Sequence, residues 1–218
     1  MDMDKKIIQK LSVICLTFVF LFGTSCVTVN AKPFVWHDKP KDYGTSNTSS
    51  SFSILGNAVA TKEQCIKYLL RYNPRPSLTV SPKELVEYYY TEGQREGIRP
   101  DVAFAQALQE TGYFRYGGTV LPGQNNYCGL GTTGGGVKGA WFKSAQIGVR
   151  AHIQHIMAYA TTQKPKESIV DPRYDVVKTT RNFGKAKTWT DLNGRWAIPG
   201  NGYGQKILKI HSDIIATK

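Results

Sequence analysis

The chain has 218 residues, a formal net charge of +12 at neutral pH, 41% apolar residues and a mean hydropathy of −0.32. This length suits one ordinary domain with appendages. Four cysteines in so long a chain exclude a disulfide scaffold. No nucleic-acid-binding motif accompanies the basic charge, so other polyanions are the expected partners.

Residues 1–31 read as an export signal. Lys5, Lys6 and Lys10 give a basic start, Leu11 to Phe22 an apolar run, and Val29-Asn30-Ala31 a small-residue cleavage site. The apolar run is too short for a comfortable membrane span. A second reading is a lipoprotein signal with lipidation at Cys26, although Gly23 stands where such signals carry an aliphatic residue. Both readings make the protein exported, secreted or wall-associated in the first and anchored to the membrane through Cys26 in the second, and export itself argues against a nucleic-acid partner. After cleavage Cys65 and Cys128 remain; they allow one disulfide, and their pairing is open. Residues 32–60, centred on Thr45-Ser46-Asn47-Thr48-Ser49-Ser50-Ser51, read as a flexible linker. Residues 61–218 are then the domain.

Thr61-Lys62-Glu63-Gln64 and Ser81-Pro82-Lys83-Glu84 are capping-box patterns that open helices over 62–72 and 82–96. Asn73-Pro74 stops the first and Gly97 the second. Arg99-Pro100-Asp101 opens a third helix that ends at Glu110. From Gly129 to Trp141 the glycine density predicts a loop or short hairpin with Gly134-Gly135-Gly136 at its tip. That triplet lacks the Gly-Lys-Ser/Thr sequel of a phosphate loop. Ser144 caps a helix to about Thr161, whose His152 and His155 read as surface residues because no third metal ligand is evident. Asp171-Pro172-Arg173-Tyr174 reads as a turn. Trp189 and Trp196 serve either as groove wall or as core, and residues 203–216 form a closing helix.

The stretch from Asp101 to Thr133 carries the chemistry. Phe104 and Leu108 lie one helical turn apart, while Gln106, Gln109 and Glu110 share another face. A carboxylate in a last helical turn meets the negative end of the helix dipole, and apolar neighbours desolvate it. Both effects raise its pKa, as a general acid working near neutrality requires. Tyr113, Phe114, Tyr116 and Tyr127 then crowd a glycine-rich segment, which suits stacking against sugar faces beside open backbone.

Glu110-Thr111-Gly112-Tyr113-Phe114, followed by Asn125-Asn126-Tyr127-Cys128-Gly129-Leu130-Gly131-Thr132, resembles the glucosaminidase-type bacterial peptidoglycan hydrolases of the lysozyme-like superfamily. The resemblance runs from about Ser81 to Lys218 and returns at Asn201-Gly202-Tyr203-Gly204. It implies a mainly α, lysozyme-like domain with a small glycine-rich hairpin lobe beside a substrate groove. It implies an endo-β-N-acetylglucosaminidase with Glu110 as acid and Tyr203 supporting the charged transition state. Gln106, Tyr113, Phe114, Asn126, Tyr127, Gly129 and Trp196 are then substrate-binding residues. Peptidoglycan strands are the expected partner, with anionic wall polymers drawn by charge; the protein is expected to be a monomer without metal or cofactor.

A second carboxylate is missing from the Gly129 to Phe142 segment, where some relatives place a Glu. Asp171, Asp191 or the acetamide of the substrate must take its place, and the acetamide is favoured. The rival readings are a lytic transglycosylase on the same fold, a Cys–His amidase built on Cys128, and a wall-binding module without catalysis.

Overall fold

A computed structural model of the chain describes residues 52–132 and 135–218. The export segment, Cys26 and residues 32–51 of the expected linker lie outside the described residues, as do Thr133 and Gly134. Among the described residues the regular structure is six α-helices and two short 3-10 turns, Pro122–Gln124 and Trp189–Leu192. The domain is mainly α, consistent with a lysozyme-like helical architecture.

The caps set the helix starts. Helix α1 (Lys62–Tyr72) opens at a reciprocal box in which the Thr61 hydroxyl accepts from the Gln64 amide and Gln64 Oε1 accepts from the Thr61 amide. Helix α2 (Pro82–Glu96) repeats the device with Ser81 and Glu84 and stops at left-handed Gly97, φ 72°. A side-chain cap of this kind stabilises a helix by about 1 kcal/mol. Helices α3 (Pro100–Glu110), α4 (Ala145–Ala160) and α6 (Tyr203–Ile215) fall where the sequence places them. The turn expected at Asp171-Pro172-Arg173-Tyr174 is present at residues 172–173, and it leads into helix α5 (Tyr174–Lys178), whose five residues bury Tyr174 and Val177 but are too few to show a period.

Helix α3 is the hub. All residues from Pro100 to Leu108 are buried, and the helix packs against α1, α2 and α6. Outside that shell α2 packs on α4, α4 on α5, and α6 on the 3-10 turn Trp189–Leu192. Trp189 is fully buried, which makes it core rather than groove wall. Two helices come very close to the chain beside them. A Cβ at Gly148 would lie 1.8 Å from the Asn125 carbonyl oxygen, and one at Gly204 would lie 2.2 Å from that of Trp189. The second contact seats the first turn of α6, and with it Tyr203.

No strand pairing forms among the described residues of the glycine-rich loop. Amide side chains do the work of a ladder instead. Asn126 Nδ2 donates to the Leu130 carbonyl at 2.9 Å and its Oδ1 accepts from the Leu130 amide at 2.9 Å. Gln124 Nε2 reaches the Lys138 and Ala140 carbonyls, and the Ala140 amide donates to Leu130 at 2.8 Å.

The linker reading extended too far at its C-terminal end. Ser53 bridges Thr188, Leu55 bridges Ile98, and Ile54 is fully buried between them. Three residues of alternation inside a polar stretch are too few to stand out from composition. Asp101 anchors this segment to α3. Its Oδ2 accepts from the Val59 amide at 2.7 Å, from the Ala60 amide at 3.0 Å and from His211 Nε2 at 2.7 Å, with Arg99 Nη2 at 3.5 Å.

The Asp101 anchor carries a pH signature. Burial by itself would raise this carboxyl, but the His211 hydrogen bond and charge, with the Ala60 and Val59 amides, outweigh it and hold the pKa at about 2, against 3.8 for an ordinary Asp. A carboxyl depressed on folding contributes stability above its unfolded pKa and loses it as pH falls through the folded value. The protein should lose about 2 kcal/mol from this group between roughly pH 4 and pH 2. Urea titrations at stepped pH should show Asp101→Asn losing less over that window; equal losses in both proteins would contradict the anchor.

Candidate active site

Glu110 is the last residue of α3, at the point where the helix, buried as far as Leu108, reaches an open cavity of about 410 Å³. The chain must leave the helix there without covering the carboxylate, and Thr111 arranges that. Its hydroxyl donates to the Ala107 carbonyl at 2.7 Å and accepts from the Phe114 amide at 2.9 Å. The turn it holds is left-handed at Gly112, Tyr113, Phe114 and Tyr116, with φ from 57° to 60°. Left-handed conformations at non-glycine residues cost on the order of 1 kcal/mol or more each and persist only where contacts over-determine them. Here the Tyr113 amide donates to Leu108, the Tyr116 amide to Thr111, and Asn73 Nδ2 to the Tyr113 carbonyl at 2.7 Å.

Tyr203, the first residue of α6, donates its hydroxyl hydrogen to Glu110 Oε1. Gln106, one turn before Glu110, donates from Nε2 to the same hydroxyl oxygen at 2.7 Å. Trp196 lines the same cavity beside the carboxylate. Glu110 stays exposed through the mouth of the cavity while the protein around it desolvates the carboxylate. That desolvation raises its pKa above the ordinary Glu value, and the Tyr203 hydrogen bond, followed by the polar edge of Trp196, pulls against it without cancelling it. Water at the mouth moderates the rise. Burial, then the Glu110 charge, pushes the Tyr203 phenol well up, so it stays a donor. The arrangement can hold a proton at a carboxyl facing an open cavity, which is what general-acid catalysis needs.

Of the residues singled out in the sequence, Glu110, Tyr203, Gly129 and Trp196 line the cavity, and Gln106 supports it from beneath. The others are placed elsewhere. Phe114 and Tyr127 are core residues rather than sugar platforms, because the left-handed turn folds Phe114 back against Phe104 and Tyr127. Tyr113 stacks on Tyr72 with ring centres 5.2 Å apart, outside the cavity lining. Asn126 spends its amide on the glycine-rich loop and has none left to orient a sugar.

Neither candidate second carboxylate lines the cavity. Asp191 caps the 3-10 turn Trp189–Leu192 by accepting from the Lys187 and Thr188 amides. Asp171 is buried behind the cavity wall, where its Oδ2 pairs with His155 Nδ1 at 2.8 Å. Glu110 is the sole carboxylate lining the cavity among the described residues. His152 and His155 are both buried, contrary to the surface reading: α4 lies under the cavity with this face inward. Among the described residues no group of three or more His, Cys, Asp and Glu could hold a metal.

Cys65 and Cys128 are free and buried. Cys128 lines the cavity, and Asp171 does orient His155 there, yet no hydrogen bond joins that ring to the sulfur. Burial, and then the charges of Glu110 and Asp171, push the Cys128 thiol well up, opposite to what a thiolate nucleophile requires. The far wall holds His155, Tyr159, Arg173, Thr180 and Asn182, none of which the motifs indicated. They come from α4 and the segment around α5, and no short motif spans that distance. The i, i+3 spacing of His152 and His155 was the available signal.

The chain matches the family model described as Glucosaminidase, mannosyl-glycoprotein endo-beta-N-acetylglucosaminidase, over residues 86–215. It is 37% identical over 153 residues to an uncharacterized protein of Borreliella burgdorferi, covering 70% of this chain and 72% of that one. No solved structure matches it.

The raised pKa of Glu110 makes a stability prediction independent of activity. A carboxyl whose pKa rises on folding supports the fold while protonated and opposes it as pH climbs through the folded value. Glu110→Gln should therefore be more heat-stable than the native protein at pH 7, with the gap narrowing toward pH 4. Calorimetry at both pH values measures it; a variant less stable at pH 7 would show that the carboxylate is not desolvated.

Proposed function

This chain belongs to the glucosaminidase family and is a glycoside hydrolase, and on that premise we propose that it is an endo-β-N-acetylglucosaminidase acting on bacterial cell-wall peptidoglycan. It cleaves β-1,4 bonds in the glycan strand. The observation that carries this reading is the placing of Glu110: one desolvated carboxylate, held by Tyr203, in a cavity with no carboxylate partner among the described residues.

Glu110 gives its proton to the leaving glycosidic oxygen as that bond breaks. The carbonyl oxygen of the substrate's own acetamide closes onto the anomeric carbon and takes the positive charge. Glu110, now a carboxylate, removes a proton from water, which opens the ring at the same carbon and restores the acetamide. Tyr203 holds one carboxylate oxygen throughout, so it acts on the turnover step more than on binding. Arg173 on the cavity wall supplies a cation for the carboxylates of the stem peptides. The basic and apolar pattern of residues 1–31 supports export, and the chain left after cleavage at Ala31 carries about +11 (12 − 1), which draws it to anionic wall polymers.

A lone carboxylate equally suits a lytic transglycosylase, so the products decide. Mass spectrometry of digested peptidoglycan should show reducing N-acetylglucosamine ends, and Glu110→Gln should lose activity by at least about 10²-fold with the fold intact. Anhydromuramic ends would establish the transglycosylase instead. Undiminished hydrolysis by Glu110→Gln would remove Glu110 from the chemistry.

A further inference from the structure

Taking Glu110 as the acid, we propose that Tyr89, His152 and Gln106 are positioning residues: they form a one-way hydrogen-bond chain that keeps the acid proton on the Glu110 oxygen turned away from Tyr203. The chain crosses four elements. Tyr89 of α2 meets His152 Nδ1 of α4 at 2.9 Å, and His152 Nε2 meets Gln106 Oε1 of α3 at 3.1 Å. Gln106 Nε2 meets the Tyr203 hydroxyl of α6 at 2.7 Å, and Tyr203 meets Glu110 Oε1. Tyr89, His152 and Gln106 are completely buried and Tyr203 nearly so, so every polar atom along the line needs a partner from within it.

Such a chain can be polarised in two directions. In the forward direction Tyr89 donates to His152 Nδ1, the Nε2–H donates to Gln106, the Gln106 amide donates to Tyr203, and Tyr203 donates to Glu110 Oε1. In the reverse direction each donor becomes an acceptor, the Gln106 amide turns over, and protonated Glu110 spends its proton on the Tyr203 oxygen. The two directions correspond to two different tautomers of His152.

Tyr89 selects between them. In the reverse direction its own hydroxyl hydrogen would be buried with no acceptor. Its ring is enclosed by Phe104, Tyr127 and His152, and among the described residues this hydroxyl makes no other hydrogen bond. An unsatisfied buried donor disfavours that arrangement. The forward direction occupies Oε1 of Glu110 with an incoming hydrogen, so the catalytic proton resides on Oε2.

The imidazole must be neutral for this. Burial first, and then the neighbouring His155, lower the His152 pKa to about 3. The groups around the two ends are Tyr203, Trp196 and Cys128 at Glu110, with His155 and Arg173 on the cavity wall, and Tyr89, Trp196 and His155 at the ring.

The test is ¹⁵N NMR of the histidine ring nitrogens in the full-length native protein between pH 5 and pH 8. His152 should be a neutral Nε2–H tautomer throughout that range. The Nδ1–H tautomer, or an imidazolium, would overturn the proposal without any variant having to fold. Tyr89→Phe removes one oxygen and keeps the ring. It should give a mixture of tautomers and lower kcat by roughly 3- to 10-fold at unchanged KM. An unchanged tautomer together with unchanged kcat would overturn the directing role of Tyr89. A failure of the acid assignment appears separately, as full activity in Glu110→Gln, and leaves the His152 measurement standing.

Discussion

The burial of α3 from Pro100 to Leu108 is the constraint on which the rest of the structure depends. A helix buried on all sides from Pro100 to Leu108 must be enclosed by other elements, and α1, α2 and α6 enclose it. Its start is fixed by Asp101, which gathers the N-terminal segment and His211 of α6 around one carboxylate. Its end is fixed by Thr111 and the left-handed turn that follows. With both ends held, Glu110 can project into the cavity only where the fold places it. The side chain that does the proposed chemistry is therefore positioned by packing several turns away from it.

The same burial governs the electrostatics. Desolvation raises Glu110, whereas the Tyr203 hydrogen bond and the polar edge of Trp196 restrain the rise. Asp101, more deeply buried, goes the other way because His211 and two backbone amides face it. Two acids on one helix thus part company: the one at the start is surrounded by donors and stays ionised, and the one at the end is desolvated and holds its proton more readily. This divergence of environments distinguishes an anchoring carboxylate from a candidate general acid. Apart from Glu110, the described part of the cavity wall is neutral or basic, with Arg173 as a cation.

Local grammar made much of this legible in the sequence. The capping boxes at Thr61 and Ser81 and the glycine at 97 mark real helix ends, since caps depend on a few adjacent residues. Glu110, Gly129 and Tyr203 stand in motifs and Trp196 is an aromatic among glycines, and the structure gathers all four around one cavity. Misplacements arose where exposure had to be guessed from residue type. Phe114 and Tyr127 look like platforms until the left-handed turn is known, and that turn is set by a threonine hydroxyl rather than by any periodic pattern. Asn126 carries the right amide for a sugar, but the glycine-rich loop has no other means of closure. The His155 wall was invisible because it is assembled from residues far apart in the chain.

The central claim is that one carboxylate suffices because the substrate brings its own nucleophile. Asp171 and Asp191 are both occupied away from the cavity, so no carboxylate-activated water is offered there by the described residues. The most direct measurement is ¹H NMR of the newly formed reducing end during the first minutes of turnover, before mutarotation scrambles it. Participation of the acetamide predicts that the β configuration is retained. An initially α product would contradict the account and require a second protein group to activate water.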